Sequence, residues 1–250
     1  MNQETLWLMS HALGVSTTNI LARKSFTPDE QAKIDALLSR REAGEPMQYI
    51  MGYADFYGRD FNVGPGVLIP RHDTETLIEA VRKYFAHDEE FSFMDWGTGS
   101  GCIAITILLE FKRSFAYMIE KSYDALKFAR MNLERYNVHE RARLNVMPDA
   151  LDLIISNPPY IPTREIFELD KTVRDYEPHE ALDGGQDGMD FYRLILSQAE
   201  SLLTRDGYII LEMGDINQVN ALKSHEKFVC IDEIYDAGNF PRCLILQRRR

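Results

Sequence analysis

Asn157-Pro158-Pro159-Tyr160 follows directly on the apolar run Leu153-Ile154-Ile155-Ser156. That run is short and partly β-branched, so it reads as a buried strand with the four residues at its carboxyl end. Two prolines fix the backbone there and remove two N–H donors. What remains is a stiff loop of carbonyl oxygens, one amide and one aromatic ring, suited to a planar group bearing an NH2. The Asn157 side-chain oxygen and the Pro158 carbonyl are two acceptors for its two hydrogens, and Tyr160 is placed to pack on its plane beside Pro159. An amide or aryl amine nitrogen is a poor nucleophile because its lone pair is delocalised. Two acceptors turn it toward sp3 character and aim it at an electrophile; positioning of this kind supplies on the order of 7–11 kcal/mol of a barrier. No general base is needed before attack, since the proton leaves afterwards. The plain alternative is a rigid Pro-Pro turn with no chemistry.

A second constellation lies upstream. Asp95-Trp96-Gly97-Thr98-Gly99-Ser100-Gly101 follows an expected strand and opens an expected helix. Glycines there allow a tight turn and close backbone approach to a ligand, and a helix N-terminus favours negative charge. The dinucleotide fingerprint GxGxxG is not matched, because Cys102 stands where the third glycine belongs. No Gly-Lys-Ser/Thr follows, which excludes a P-loop. Glu120 ends the next expected strand, where an acid accepts hydrogen bonds from ribose hydroxyls. The ligand implied is a nucleoside carrying a carboxylate or small anion. S-adenosylmethionine fits, with its ribose on Glu120 and its methionine carboxylate near the loop amides.

These residues need a scaffold that brings several strand ends together. From Phe91 onward the patterning alternates strand and helix. Strands are expected at 91–96, 115–119, 144–147, 151–156, 208–213, 228–234 and 242–247, and helices at 101–111, 123–136, 191–203 and 216–223. Alternation of this kind gives an α/β fold with a mainly parallel sheet covered on both faces, and ligands sit outside the carboxyl ends of its strands. Residues 1–46 read as a small helical N-terminal domain, with Leu6, Met9 and Leu13 on one face and Thr27-Pro28-Asp29-Glu30 as a helix start. Residues 47–70, rich in aromatics and glycine, read as a β-hairpin linker. Residues 71–250 form the catalytic domain, entered by a helix capped by Asp73 or Thr74.

The bulk properties narrow the class. The 250-residue chain carries a net charge of −11, which argues against general affinity for nucleic-acid backbone. Its one basic run, Arg248-Arg249-Arg250, reads as a solvated tail. Cys102, Cys230 and Cys243 show no CxxC or metal-ligand spacing, so no metal is expected and the thiols read as reduced and cytosolic. The first residues lack a signal-peptide pattern, and the apolar run 102–109 falls far short of a membrane span. The expectation is a cytoplasmic, monomeric protein without membrane contact.

The chain resembles the release factor glutamine methyltransferases, a class I S-adenosylmethionine-dependent family with a Rossmann-like sheet. The resemblance runs through Gly44-Glu45-Pro46-Met47-Gln48-Tyr49-Ile50, Phe56-Tyr57-Gly58, Val67-Leu68-Ile69-Pro70-Arg71 and the Asp95–Ile103 loop. It continues in Asn157-Pro158-Pro159-Tyr160-Ile161-Pro162 and in Tyr176-Glu177-Pro178-His179-Glu180-Ala181-Leu182-Asp183-Gly184-Gly185 with Asp187-Gly188. Asn-Pro-Pro-Tyr alone also occurs in adenine-amino methyltransferases; the other segments are more specific. The resemblance implies that Gly97–Gly101 line the cofactor's methionine end, Glu120 its ribose, and Asn157–Tyr160 the substrate amide. The implied partner is a class I peptide chain release factor, methylated on the glutamine of its Gly-Gly-Gln loop, with the helical N-terminal domain helping to dock it.

Three departures from the family pattern stand out. Glu120 replaces the more usual Asp. The lead-in to it is Ala116-Tyr117-Met118-Ile119. The 147–153 connection is short where the family carries an acid and an aromatic that clasp the adenine, which leaves Asp149 as the surviving adenine contact. Two other readings stay open: a nucleic-acid adenine methyltransferase, and a chain that binds a release factor with weakened catalysis.

Overall fold

The computed structural model describes residues 2–249. Three helices open the chain: α1 (Gln3–Leu13), α2 (Thr17–Ala22) and α3 (Pro28–Glu42). Met9, Ile20 and Ile34 are buried between them, with Leu6, Leu13 and Leu38 packed around. The expected start of α3 is a complete capping box: Thr27 Oγ1 accepts from the Glu30 amide, and the Glu30 carboxylate accepts from the Thr27 amide at 3.0 Å.

The linker holds one element that the sequence reading lacked. The single-turn helix α4 (Met47–Met51), stopped by Gly52 at φ 80°, precedes the hairpin. Five residues are too few to show a helical period. The hairpin itself, β1 (Tyr53–Phe56) and β2 (Arg59–Asn62), is antiparallel. Its turn residues Tyr57 and Gly58 both have positive φ, as a tight two-residue connection with the twist of the strands requires.

A 3-10 turn, His72–Thr74, leads into α5 (Glu75–Tyr84). Neither expected cap forms. Thr74 has helical backbone and no side-chain capping bond, because its hydroxyl is engaged elsewhere.

The remaining chain runs β3 (Ser92–Trp96), α6 (Cys102–Glu110), β4 (Phe115–Ile119), α7 (Tyr123–Arg135), β5 (Ala142–Leu144) and β6 (Leu151–Ser156). It then runs α8 (Lys171–Arg174), α9 (Asp190–Leu202), β7 (Leu203–Glu212), α10 (Ile216–Lys223), β8 (Phe228–Tyr235) and β9 (Pro241–Arg248). The seven strands are ordered β5-β4-β3-β6-β7-β9-β8. The first five are parallel; β9 is antiparallel to both β7 and β8. The α/β, mainly parallel expectation therefore holds. β5 lies earlier than the expected 144–147, because Arg141 and Arg143 hide its short apolar pattern. Arg248 closes β9, and the Arg249 amide donates to the Lys227 carbonyl, so those two residues are anchored to the sheet. Arg250 lies outside the described residues.

Both faces of the sheet are covered, which is why its central strands read as continuous apolar runs. Phe93, Leu153 and Ile155 face one core with α5, α6 and α7; Met94 and Ile154 face the other with α9 and α10. The chain builds outward from β3 to β5 and then returns to place β6 on the other side of β3. The carboxyl ends of β3 and β6 therefore flank the switch point at which α/β sheets bind ligands. Among the described residues, no helix is long and apolar enough to cross a membrane.

Candidate active site

A cleft of about 260 Å3 opens at that switch point. Trp96 to Ser100 line it from the end of β3, Ile119 to Ser122 from the end of β4, and Ser156 to Pro159 from the end of β6. Pro70, Arg71 and Thr74 contribute from the α5 lead-in, and Phe191, Leu194 and Ile195 from α9. The Ser156 hydroxyl donates to the Trp96 carbonyl at 2.5 Å, tying the two strand ends together.

The glycine loop is held from below by Asp95. Its Oδ2 accepts from Thr98 Oγ1 at 2.6 Å and from the Ala104 amide at 3.2 Å, while Oδ1 has no partner. Burial pushes this carboxyl up to about 7, against the pull of those two donors. Asp95 is fully buried and supports the loop rather than lining the cleft. Gly97, Gly99 and Gly101 all have positive φ. Gly101 also lacks room: a Cβ there would sit 2.9 Å from Met118 Cε.

The loop amides are already used within the chain. Gly97 and Thr98 donate to the Ile119 carbonyl, at 2.8 and 3.0 Å, and Gly101 donates to the Thr98 carbonyl. Gly99 donates to Glu120 Oε2 at 2.9 Å. This corrects the expectation that the loop amides face a ligand carboxylate: four of the five serve to shape the loop. In the same loop the Ser100 hydroxyl is buried without a hydrogen-bond partner.

Glu120 reaches across to the loop. Its Oε1 accepts from the Ser122 amide and its Oε2 from Gly99, each at 2.9 Å, so each oxygen keeps a free lone pair. A residue absent from the sequence reading fixes its backbone. Asn145, at φ 53°, exchanges two hydrogen bonds of 2.9 Å with the Glu120 amide and carbonyl. The expected strand 144–147 covers Asn145, so no sequence signal marks it; Asn is one of the few residues that tolerates the left-handed backbone found there. Asp149 is exposed and lies outside the cleft lining. The short connection ends before it can turn that side chain inward, and Val146 and Met147 are left exposed beside it.

Asn157, Pro158 and Pro159 line the cleft. The Asn157 amide donates from Nδ2 to Thr74 Oγ1 at 3.0 Å. Among the described residues, none donates to Asn157 Oδ1. Tyr160 points the other way: its hydroxyl donates to Glu212 Oε1 at 3.3 Å, and its ring packs with the β7–α9 core. The expectation that Tyr160 covers a planar substrate group is thus replaced by an anchoring role. Its phenol is pushed up by burial and by the facing Glu212 charge.

The loop is cradled from outside by a segment rich in glycine. A Cβ on Gly184 would lie 2.8 Å from the Pro159 oxygen, and one on Gly188 would collide with the Tyr160 oxygen. Only bare backbone fits so close. Gln218 Nε2 donates to the Tyr160 carbonyl at 2.7 Å. The lead-in is fastened in the same way. Glu177, buried, accepts from the Ile69 amide at 3.0 Å and from Arg71 at 2.5 Å. Two segments more than a hundred residues apart in sequence, Ile69-Pro70-Arg71 and Tyr176-Glu177-Pro178, are thus one structural unit beside the cleft. Over the mouth, Lys121 pairs with Glu180 at 3.4 Å and lies above the Phe191 ring.

Known proteins share both the sequence and the architecture. Residues 2–52 match the PrmC N-terminal domain and residues 72–170 the methyltransferase small domain. A release factor glutamine methyltransferase from Geobacter sulfurreducens is 41% identical, over 84% of this chain and 76% of the relative. One from Thermodesulfovibrio yellowstonii is 35% identical, over 99% of this chain and 93% of the relative. Among solved structures, a methyltransferase from Pyrococcus furiosus has a TM-score of 0.58 at 19% identity, covering 85% of this chain and 96% of that one. The hMettl16 catalytic domain in complex with MAT2A 3′UTR hairpin 6 has a TM-score of 0.57 at 15% identity, covering 90% and 84%. At those identities the structural matches speak for the fold alone, a class I methyltransferase sheet. The sequence matches go further, and with them this chain belongs to the release factor glutamine methyltransferase family.

Proposed function

We propose that this enzyme transfers a methyl group from S-adenosylmethionine to the side-chain amide nitrogen of the glutamine in the Gly-Gly-Gln motif of a class I peptide chain release factor. The observation that carries the reading is the state of Asn157. Its NH2 is occupied by Thr74 and its oxygen is free in a cleft, which makes it an acceptor for an NH2-bearing group.

The residues present fit the cofactor. Ser100 Oγ is a buried polar atom without a hydrogen-bond partner in the wall of the cleft, and it suits a carboxylate; Arg71, paired with Glu177, lines the same cleft. Glu120 keeps lone pairs for two ribose hydroxyls. Ile119, Phe191 and Leu194 offer an apolar wall for a purine. When bound, the cofactor supplies an electrophilic sulfonium methyl.

The work of the chain itself is orientation. Asn157 Oδ1 and the Pro158 carbonyl accept the two N–H groups of the substrate amide and direct its lone pair. Pro158 and Pro159 hold those acceptors rigid, so that little reorganisation is needed at attack. The surplus proton leaves the nitrogen after transfer, to water at the open mouth.

The reading extends to domains and partner. Residues 1–46 form the docking domain, 47–70 the linker and 71–250 the catalytic domain. A groove of about 360 Å3 between α1, α3, α4 and α8 shares Pro70 and Arg71 with the cleft, which suits a protein segment passing from one to the other. The net charge of −11 favours a protein substrate over nucleic acid. The proposed setting is the cytoplasm, beside the translation apparatus. Transfer of labelled methyl tests the reading: label is expected in purified release factor and not in RNA or DNA, and label in nucleic acid alone overturns it.

A further inference from the structure

Asn132 lies near the end of α7 with its side chain fully buried, where an apolar residue would ordinarily sit. Every hydrogen-bonding position of its amide is used. Oδ1 accepts from the Asn62 backbone amide at 2.7 Å and from Asn62 Nδ2 at 2.8 Å. Nδ2 donates to the Asn62 carbonyl at 3.1 Å and to the Ser100 carbonyl at 2.8 Å. A backbone amide can only donate and a backbone carbonyl only accept, so these partners fix which way the Asn132 amide points. Asn62 is the last residue of β2, and Ser100 lines the cleft from the glycine loop. One side chain therefore fastens the hairpin to the wall of the cleft.

We propose that Asn132 is the positioning residue of the glycine loop: by holding the Ser100 carbonyl against the end of β2, it aims the Ser100 hydroxyl at the amino-acid end of the cofactor. This rests on the reading of the cleft as a site for S-adenosylmethionine.

The Ser100 carbonyl needs an outside partner because its own helix does not supply one. In an α-helix the amide four residues on, here that of Ala104, would bond it. That amide donates instead to Asp95 Oδ2 at 3.2 Å. Asn132 takes the vacant place. Asp95 and Asn132 together thus set the peptide that leads the loop into α6. The hydroxyl on that same residue is buried and has no hydrogen-bond partner. Turning this peptide would therefore swing a polar group that the fold itself does not use.

The other end of the tie is firmly seated. A Cβ on Gly64 would lie 2.8 Å from Phe128 Cζ, and one on Gly66 2.8 Å from Asp124 Cβ. Phe128 and Asp124 both belong to α7, so the chain leaving β2 lies directly on the helix that carries Asn132. Gly66, Val67 and Leu68 then run on into the cleft lining. A residue that merely pinned the hairpin would, when lost, weaken every ligand of the cleft alike. A residue that aims Ser100 weakens only ligands with an amino-acid end.

The test is titration calorimetry on the full-length protein with S-adenosylhomocysteine and methylthioadenosine, two thioethers of one nucleoside that differ in the amino-acid end. Asn132→Leu, of similar size, is expected to raise the Kd for S-adenosylhomocysteine roughly tenfold and that for methylthioadenosine by less than about twofold. Asn62→Ala removes the Asn62 Nδ2 bond and keeps the two backbone bonds to Asn132. It is expected to show the same selectivity with a smaller shift, and it carries the test should Asn132→Leu not fold. Ser100→Ala is expected to match Asn132→Leu, and the double variant to lose no more than the larger single loss, because both act through one hydroxyl. A further readout needs no ligand: amide hydrogen exchange from Gly97 to Ala104 is expected to quicken in Asn132→Leu while the central strands keep their protection. Equal losses for the two thioethers, additive losses in the double variant, or unchanged exchange in the loop overturn the role of Asn132. Quickened loop exchange in a protein that binds neither thioether keeps Asn132 as the holder of the loop and overturns the cofactor reading.

Discussion

The Asn157 side-chain amide donates to Thr74 Oγ1 at 3.0 Å across 83 positions of sequence. The bond joins the loop after β6 to the turn ahead of α5. It uses the amide's donor end on the protein and leaves its acceptor end for a ligand. Two prolines make the loop stiff, but this bond gives the amide a direction.

Cofactor affinity is expected to depend on Glu120. Glu120→Gln keeps the size, removes the charge and weakens the bonds to Gly99 and Ser122. Hydrogen bonds to an ionised group are worth about 1.5–3 kcal/mol, so the Kd for S-adenosylmethionine is expected to rise about tenfold to a hundredfold. Titration calorimetry checks it. An unchanged Kd removes Glu120 from the cofactor site.

Gly184→Ala is expected to disable the site without touching a ligand. The new Cβ would meet the Pro159 oxygen and the Tyr160 Cα, each at 2.8 Å. Both are backbone, so either the Gly184–Gly188 segment or the catalytic loop must move. Overpacking of this kind costs about 1–3 kcal/mol. A displaced acceptor loop is expected to lower kcat by roughly 10²-fold. Urea denaturation and steady-state kinetics measure the two effects; full activity in a destabilised protein would mean that the cradle does not position the loop.

What the sequence made legible follows from distance along the chain. Asn157-Pro158-Pro159-Tyr160 and the Asp95–Gly101 loop are contiguous, and each sits where a strand stops, so pattern and residue type located them. Thr74, Asn145, Glu212 and Gln218 act from other elements, and no local spacing marks them. A Thr before a helical stretch is commonly its cap, but the Thr74 hydroxyl bonds Asn157 instead. Residue type alone puts the Tyr160 ring on the substrate, but the glycines at 184, 188 and 214 leave room for the loop to turn it onto Glu212 and the core beside β7. α4 was too short to show a period.

Stability is expected to fall as pH rises from about 5 to 8. Asp95 and Glu212 both have carboxyl groups raised to about 7 by burial. A raised carboxyl favours the folded state while it is protonated, so its contribution is full below the ordinary carboxylate range and is lost as pH climbs through about 7. For Glu212 the rise from 4.5 to about 7 corresponds to on the order of 3 kcal/mol. Glu212→Gln is therefore expected to be more stable than wild type at pH 8 and similar at pH 5. Thermal melts at the two pH values check the sign; a variant less stable at both would place the charged form of Glu212 among the stabilising groups.

The most direct test of Asn157 as the amide acceptor is mass analysis of the Gly-Gly-Gln peptide after incubation of release factor with the enzyme and S-adenosylmethionine. With wild type, one added methyl on the glutamine side chain is expected, and with Asn157→Ala, which removes the side-chain acceptor from the cleft, none above background. Methylation of that glutamine at an undiminished rate by Asn157→Ala would contradict the mechanism.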